Sequence, residues 1–139
     1  MRPWHHNVAR SLVKAPKVYF FDTGLVRGDE GVRFENAVAT MLLKALHWRY
    51  DVLGESVDLH YLRTRDETEV DFAVSRDGQL VQLVECKLTD SAPHRALVRF
   101  AAELPQAQAI QLVRHLRNAQ SRDRVDVVPA EQWLRDLAA

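Results

Sequence analysis

The sequence predicts an α/β sandwich with a mixed central sheet. Three observations carry that expectation: an amphipathic helical stretch over residues 31–48, three strand-like runs directly after it, and a second helical stretch that separates those runs from a further strand. Strands joined by a tight turn pair antiparallel, whereas a strand reached through a helix pairs parallel, so together they make a mixed sheet covered by helices. The order is helix, strand, strand, strand, helix, strand, with a further strand and helix at the end.

Residues 1–16 show neither period and read as an irregular segment. Val18-Tyr19-Phe20-Phe21 is a short apolar run closed by the turn signal Asp22-Thr23-Gly24. From Gly31 to Trp48, Phe34, Ala37, Val38, Met41, Leu42, Ala45 and Leu46 recur at helical spacing, and Asn36, Thr40 and Lys44 form the opposite polar face. Strands follow at Leu59–Arg63, Glu69–Val74 and Leu80–Lys87, the last two joined by a turn containing Asp77-Gly78. Thr89, Asp90 or Ser91 is placed to cap a helix from Pro93 to Leu104, with proline suited to the first turn. Strands at Ala109–Val113 and Val125–Val128 and a short helix from Pro129 to Leu137 complete the chain. There is no internal repeat, low-complexity tract or Gly/Ser/Pro-rich linker, so residues 1–139 read as a single domain.

A length of 139 residues suffices for one core, and 47% hydrophobic with 27% charged residues excludes a disordered or collagen-like chain. Cys86 is the only cysteine, which excludes a disulfide scaffold and favours a reducing compartment. No run approaches the ~18 apolar residues of a membrane span, and the N-terminus lacks the hydrophobic stretch of a signal peptide; a cytoplasmic protein without a membrane partner is expected. Nineteen basic residues balance 19 acidic ones, so no global field draws the chain to nucleic acid. Such binding must come from local clusters: Arg95 and Arg99 at helical spacing, and the stretch Arg114, Arg117, Arg122 and Arg124, interrupted by the single acid Asp123.

Four charged residues stand at positions meant for apolar ones. On a wheel of about 100° per residue, Glu35 falls between Leu42 and Leu46, inside the apolar arc. An inward carboxylate needs a cation, a metal ion or a water-filled cleft, and a core-facing arginine is one candidate partner. The second strand alternates Glu69, Asp71 and Ala73 on one face with Val70, Phe72 and Val74 on the other. In the third, Val81, Leu83, Glu85 and Lys87 share a face that begins apolar and ends charged, while Leu80, Gln82, Val84 and Cys86 make the other; a buried strand of this kind runs into a cleft.

Whether Asp71 and Glu85 meet depends on the hairpin between them. A two-residue Asp77-Gly78 turn pairs Asp71 with Val84 and puts the two acids on opposite faces. A three-residue loop, Arg76-Asp77-Gly78, pairs Asp71 with Leu83 and makes Glu85 its diagonal neighbour on the same face; a bulge of the same parity does likewise. The second geometry is expected here. Two carboxylates with the main-chain carbonyl of Cys86 then form an oxygen donor set suited to magnesium or manganese. Lys87 adds a point charge able to orient or help deprotonate an attacking water and to stabilise charge growing on phosphorus, and Glu35 is placed to hold a second ion or a metal-bound water.

Asp71 followed by Glu85-x-Lys87 on the next strand, with Glu35 on a preceding helix, resembles the signature of the PD-(D/E)XK nuclease superfamily. The resemblance implies a restriction-endonuclease-like fold, with the acids on the second and third strands. The residue before Asp71 is Val70 rather than proline, and the helix after Lys87 lacks the Gln-x-x-x-Tyr pair of the exonuclease-like branch. A closer likeness runs through most of the chain. Leu12-Val13-Lys14-Ala15-Pro16-Lys17-Val18-Tyr19-Phe20-Phe21-Asp22-Thr23-Gly24-Leu25, Arg33-Phe34-Glu35-Asn36, Glu69-Val70-Asp71-Phe72 and Val84-Glu85-Cys86-Lys87 are similar to the nuclease-like C-terminal domain of unknown function in predicted prokaryotic AAA-type ATPases. No Gly-x4-Gly-Lys-Ser/Thr phosphate loop occurs, so the ATPase module of such proteins is absent from this chain and ATPase activity is not expected.

Other chemistries fit poorly. No serine lies in a Gly-x-Ser-x-Gly elbow, Cys86 points away from the charged face, and His47, His60, His94 and His115 lack zinc spacing. Two classes of function remain. The first is a magnesium- or manganese-dependent nuclease acting on DNA: Asp71 and Glu85, with the Cys86 carbonyl, as metal ligands, Lys87 acting on water, Glu35 assisting, and Arg95, Arg99, Arg114 and Arg117 binding nucleic acid. The second is a non-catalytic module of the same fold that binds nucleic acid, a partner protein or an AAA-type ATPase domain, with the charges kept as a buried network.

Overall fold

The computed structural model describes residues 1–4, 15–64 and 66–138. Most of the expected irregular segment, residues 5–14, lies outside the described residues, as does the Leu12-Val13-Lys14 part of the family-like stretch. Within that segment Arg2–Pro3 is regular after all. It forms a short strand, β1, parallel to the next strand, with Arg2 opposite His60 and Pro3 opposite Tyr61.

Helix α1 covers Glu30–Leu53. The Asp29 carboxylate accepts the Val32 N–H at 3.0 Å and caps its start. Gly54, with φ 67°, ends it in the left-handed conformation that glycine adopts without steric cost. The helix runs past Trp48 because nothing before Gly54 breaks it. Phe34, Val38, Leu42 and Leu46 form its buried stripe. The strands β2 (Val57–Arg63), β3 (Glu69–Arg76) and β4 (Gln79–Lys87) make an antiparallel meander. Helix α2 (Arg95–Glu103) then crosses to β5 (Gln108–Val113), which lies parallel to β4. Strand β7 (Val125–Pro129) is parallel to β5, β6 (Gln120–Arg122) pairs antiparallel on its outer side, and α3 (Ala130–Ala138) closes the chain.

The result is one mixed sheet of seven strands in the order β1-β2-β3-β4-β5-β7-β6, with three α-helices among the described residues. Residues of α1 and of the chain from Ala130 onward cover one face with Phe72, Val74, Val84, Ile110 and Leu112. Ala96, Leu97 and Ala101 of α2 cover the other with Leu62, Val70, Ala73, Leu83, Val113 and Val127. The mixed α/β architecture and its element order follow the expectation; β1 and β6 are additions to it.

Several local expectations are corrected. Thr89, Asp90 and Ser91 do not cap α2, and Pro93 is outside it; His94 occupies the cap position with no side-chain cap bond. The cause is Gln111 on β5, fully buried, whose Oε1 accepts the His94 N–H at 2.8 Å while Nε2 donates to Asp90 O and Ala92 O, both at 2.9 Å. This clamp holds residues 90–94 as a loop. Asn36 is not on a polar solvent face either: it is 3% exposed, with its amide bonded to both the N–H and the C=O of Phe20 at 2.8 Å. Residues 15–20 form a strap across α1 that covers the polar face at Asn36 and reaches Thr40, while Lys44 stays exposed.

The β3–β4 hairpin has a two-residue turn rather than a three-residue loop, with Asp77 and Gly78 at φ 51° and 78° as a primed turn requires. Parity is nevertheless as expected, because a bulge intervenes: Ser75 pairs with Leu80 and Val74 with Gln82, leaving Val81 as the extra residue. Leu80 therefore joins Leu83 on the α2 face and Val81 joins Val84 on the α1 face, the reverse of strict alternation. A second irregularity lies against β2. Between the pairs His60–Ala73 and Leu62–Val70, β3 carries one residue more than β2, in the stretch Asp71–Phe72. Val70 consequently packs on the α2 face while Phe72 packs on the α1 face.

Candidate functional site

The two irregularities set the site. Leu83 pairs with Ala73 rather than with Asp71, and just beyond the last register pair, Phe72–Val84, the Asp71 and Glu85 carboxylates each take a main-chain N–H of the other strand. Asp71 Oδ2 accepts from Cys86 N at 2.9 Å, and Glu85 Oε2 accepts from Asp71 N at 3.2 Å. Lys87, two residues along β4, places Nζ 2.8 Å from Glu85 Oε1. Glu85 is 3% exposed, so its charge is held almost without water and depends on these partners. An extended residue directs its N–H and C=O to the same side, so the Cys86 carbonyl lies on the edge that faces Asp71.

Asp71 is the strained member. Burial, then the charges of Glu85 and Glu35, push its carboxyl up to about 8, against the opposing pull of the Cys86 N–H and of Lys17. Lys87 is shifted in the direction that keeps it charged. Burial works against its ammonium, but the Glu85 hydrogen bond and the charges of Glu85, Asp71 and Asp90 outweigh it, so its pKa stands above that of ordinary lysine. The Cys86 thiol is pushed up by burial and by the surrounding carboxylates, which makes it inert.

Glu35 reaches this group from α1 through residues that sequence reasoning passed over. Its partner is not an arginine but Lys17 of the strap, whose Nζ lies 3.6 Å from Glu35 Oε1 and is also paired with Glu69 Oε1. Tyr19 donates its hydroxyl to the same Glu35 oxygen at 2.7 Å, and its own ionisation is driven far upward by burial and by that bond. Arg63 Nε holds the other Glu69 oxygen at 3.1 Å. Asp71 and Glu85 line an open cleft of about 620 Å³, with Asp66 to Glu69 on one wall and His94, Arg95 and Arg99 on the other. Glu35 instead lines a neighbouring depression with Lys17, Tyr19 and Asn36.

Asp71, Glu85 and Lys87 are thus brought together, and Arg95 and Arg99 stand on the same cleft. Arg114 is elsewhere, tied at 3.0 Å to Glu30 at the start of α1, and Arg117 is exposed in the loop after β5. His94 was also missed: its Nδ1 lies 3.4 Å from Glu85 Oε1, without hydrogen-bond geometry to any partner. The available signal for Lys17 and Tyr19 was their alternation within Lys17-Val18-Tyr19, which turns both to one side of an extended chain.

The donor set is one of hard oxygens. Among the described residues no three His, Cys, Asp or Glu side chains stand close enough to chelate a metal by themselves. An ion at Asp71 and Glu85 would therefore rest on two carboxylates, the Cys86 carbonyl and water, the sparse protein coordination that magnesium accepts.

These features define a mixed α/β domain with a cleft lined by acids and arginines, one of whose acids, Glu85, is paired with Lys87. Residues 30–133 match the family described as Domain of unknown function (DUF4143), and the chain belongs to that family. No curated protein and no solved structure matches the chain significantly. Among the described residues no helix is long and apolar enough to cross a membrane.

Proposed function

We propose that this chain is a restriction-endonuclease-like nuclease domain of the PD-(D/E)XK type, hydrolysing DNA phosphodiester bonds with magnesium or manganese, and related to the C-terminal part of AAA-type ATPases. One observation carries the reading: the Asp71 and Glu85 carboxylates lie together on adjacent strands, each bonded to a main-chain N–H of the other strand, with the Lys87 ammonium 2.8 Å from Glu85. Asp71, Glu85 and the Cys86 carbonyl would hold the ion. When bound it polarises a phosphate oxygen and lowers the pKa of a coordinated water.

The chain's own residues supply the rest. Lys87 is held as an ammonium, so it orients a water or a phosphate oxygen and offsets negative charge on phosphorus rather than acting as a base. Arg95 and Arg99 line the cleft opposite the acids and are exposed, where they can neutralise backbone phosphates. Arg99 is 3.6 Å from Asp66 across the cleft and 3.2 Å from Glu103, so a phosphate must compete with two carboxylates for it.

A second reading is favoured by the ion pairs themselves. Lys17 with Glu35 and Glu69, and Arg63 with Glu69, form one ion-pair cluster and Lys87 with Glu85 a second pair, and such pairing would equally stabilise a non-catalytic module binding nucleic acid, a partner protein or an ATPase domain. Incubation of plasmid and single-stranded DNA with the chain, in magnesium and in manganese, separates the two. Metal-dependent cleavage that disappears in Asp71→Asn and Glu85→Gln supports the nuclease.

A further inference from the structure

We propose that Lys17 is a built-in cation of the site: by holding Glu35 and Glu69 it takes the place of a second metal ion and limits the domain to one divalent cation, at Asp71 and Glu85. The inference rests on the nuclease reading and deepens it.

The Lys17 ammonium is fixed at several points. It is paired with Glu69, lies 3.6 Å from Glu35, and sits over the Tyr61 ring with 5.2 Å to the centroid. The backbone that delivers it is anchored on both sides: Tyr61 donates its hydroxyl to Ala15 O at 2.7 Å, and Asn36 grips Phe20 from within α1. A side chain so preorganised loses little freedom by staying in place, which favours it over a mobile ion competing for the same oxygens.

The neighbouring carboxylates have few oxygens to spare. Glu35 Oε1 receives both Lys17 and Tyr19, Glu69 Oε1 receives Lys17, and Glu69 Oε2 receives Arg63. Asp71 is different. Among the described residues it alone of Glu35, Glu69, Asp71 and Glu85 has no cation within ion-pair distance. Those four acids are met by three cations, Lys17, Arg63 and Lys87. One divalent ion leaves a single positive charge to face a phosphodiester, which suits its single negative charge; a second would overload a site already filled by lysine.

Isothermal titration of the metal-stripped chain with manganese chloride, with bound and free Mn(II) counted by electron paramagnetic resonance, tests this. One ion per wild-type chain is expected, two in Lys17→Gln, and one again in Lys17→Arg. In wild type saturated with magnesium, the Lys17 ammonium resonances should keep the signature of a bonded lysine, a readout that needs no variant to fold. Two ions in wild type, one in a folded Lys17→Gln chain, or release of Lys17 on magnesium binding would overturn the inference; two ions with metal-dependent cleavage would do so and leave the nuclease reading standing. No Mn(II) bound and no cleavage would remove both.

Discussion

Replacing Asp71 by asparagine should stabilise the metal-free protein at pH 8 and have little effect near pH 4. The sign follows from proton binding. With the folded carboxyl raised to about 8 and its ordinary value at 3.8, the folded state holds a proton between those limits that the unfolded chain has released. Stability therefore falls as pH rises through that window, and the full cost is present above it. At ~1.4 kcal/mol per pH unit the gap sets a ceiling of roughly 6 kcal/mol. Asparagine keeps the shape, and its Oδ1 still accepts the Cys86 N–H, so the variant escapes the charge penalty without losing that bond. Even a third of the ceiling, about 2 kcal/mol, raises the melting temperature by roughly 6 °C in a domain of this size. His60, whose pKa is lowered by burial against the pull of Asp58, loses stability as pH falls below its usual range, but it does so in both proteins and cancels in the difference. Lys17 and Lys87, with raised pKa values, contribute stability that is present below 10.5 and lost only at higher pH. Thermal melts of both proteins in chelator from pH 4.5 to 8.5 give the comparison. Parallel pH profiles, or a less stable variant at pH 8, would refute the reasoning.

Lys87→Ala should abolish cleavage while DNA affinity, measured by fluorescence anisotropy, stays within a few-fold; it should also lower the melting temperature, because Glu85 is 3% exposed and loses its cation whichever function is right. Asn36→Ala removes both bonds to Phe20, so a loss of roughly 2 kcal/mol is expected, with faster hydrogen exchange at the Phe20 amide as the specific mark. Gln111→Leu keeps the volume but frees three loop groups, and should cost roughly 2 to 3 kcal/mol in denaturant titration while altering the His94 ring resonances, since that ring is held beside Glu85 by the same loop.

Most of the architecture was legible because it rests on periods. The stripe Phe34, Val38, Leu42 and Leu46 and the apolar strands β3, β4 and β5 declare their elements through spacing alone. What spacing does not carry is an added residue. Val81 looks like any strand valine, yet as the bulge it reconciles the two-residue turn signalled by Asp77-Gly78 with acids on one side of the sheet. The bulge at Asp71–Phe72 is equally silent, and it moves Val70 to the face opposite Phe72. Glu35 was recognisable as misplaced on its wheel, but its cation comes from a strap that belongs to no helix or strand, signalled only by the short alternation Lys17-Val18-Tyr19. Asn36 reads in the sequence as part of a polar helix face and Gln111 as an ordinary strand residue, and only the packed structure reveals that each serves a loop: the strap at Phe20, and the turn that presents His94.

Cleavage of supercoiled plasmid and of single-stranded DNA, measured in magnesium and in manganese for wild type, Asp71→Asn and Glu85→Gln at equal concentrations, decides whether Asp71 and Glu85 form a nuclease site. Metal-dependent cleavage of at least one substrate by wild type is expected, abolished by chelator and reduced at least ~100-fold in each variant, the scale of losing a metal ligand or an electrostatic contact to the transition state. Intact DNA after incubation with wild type in both metals, or equal cleavage by Asp71→Asn, would contradict it.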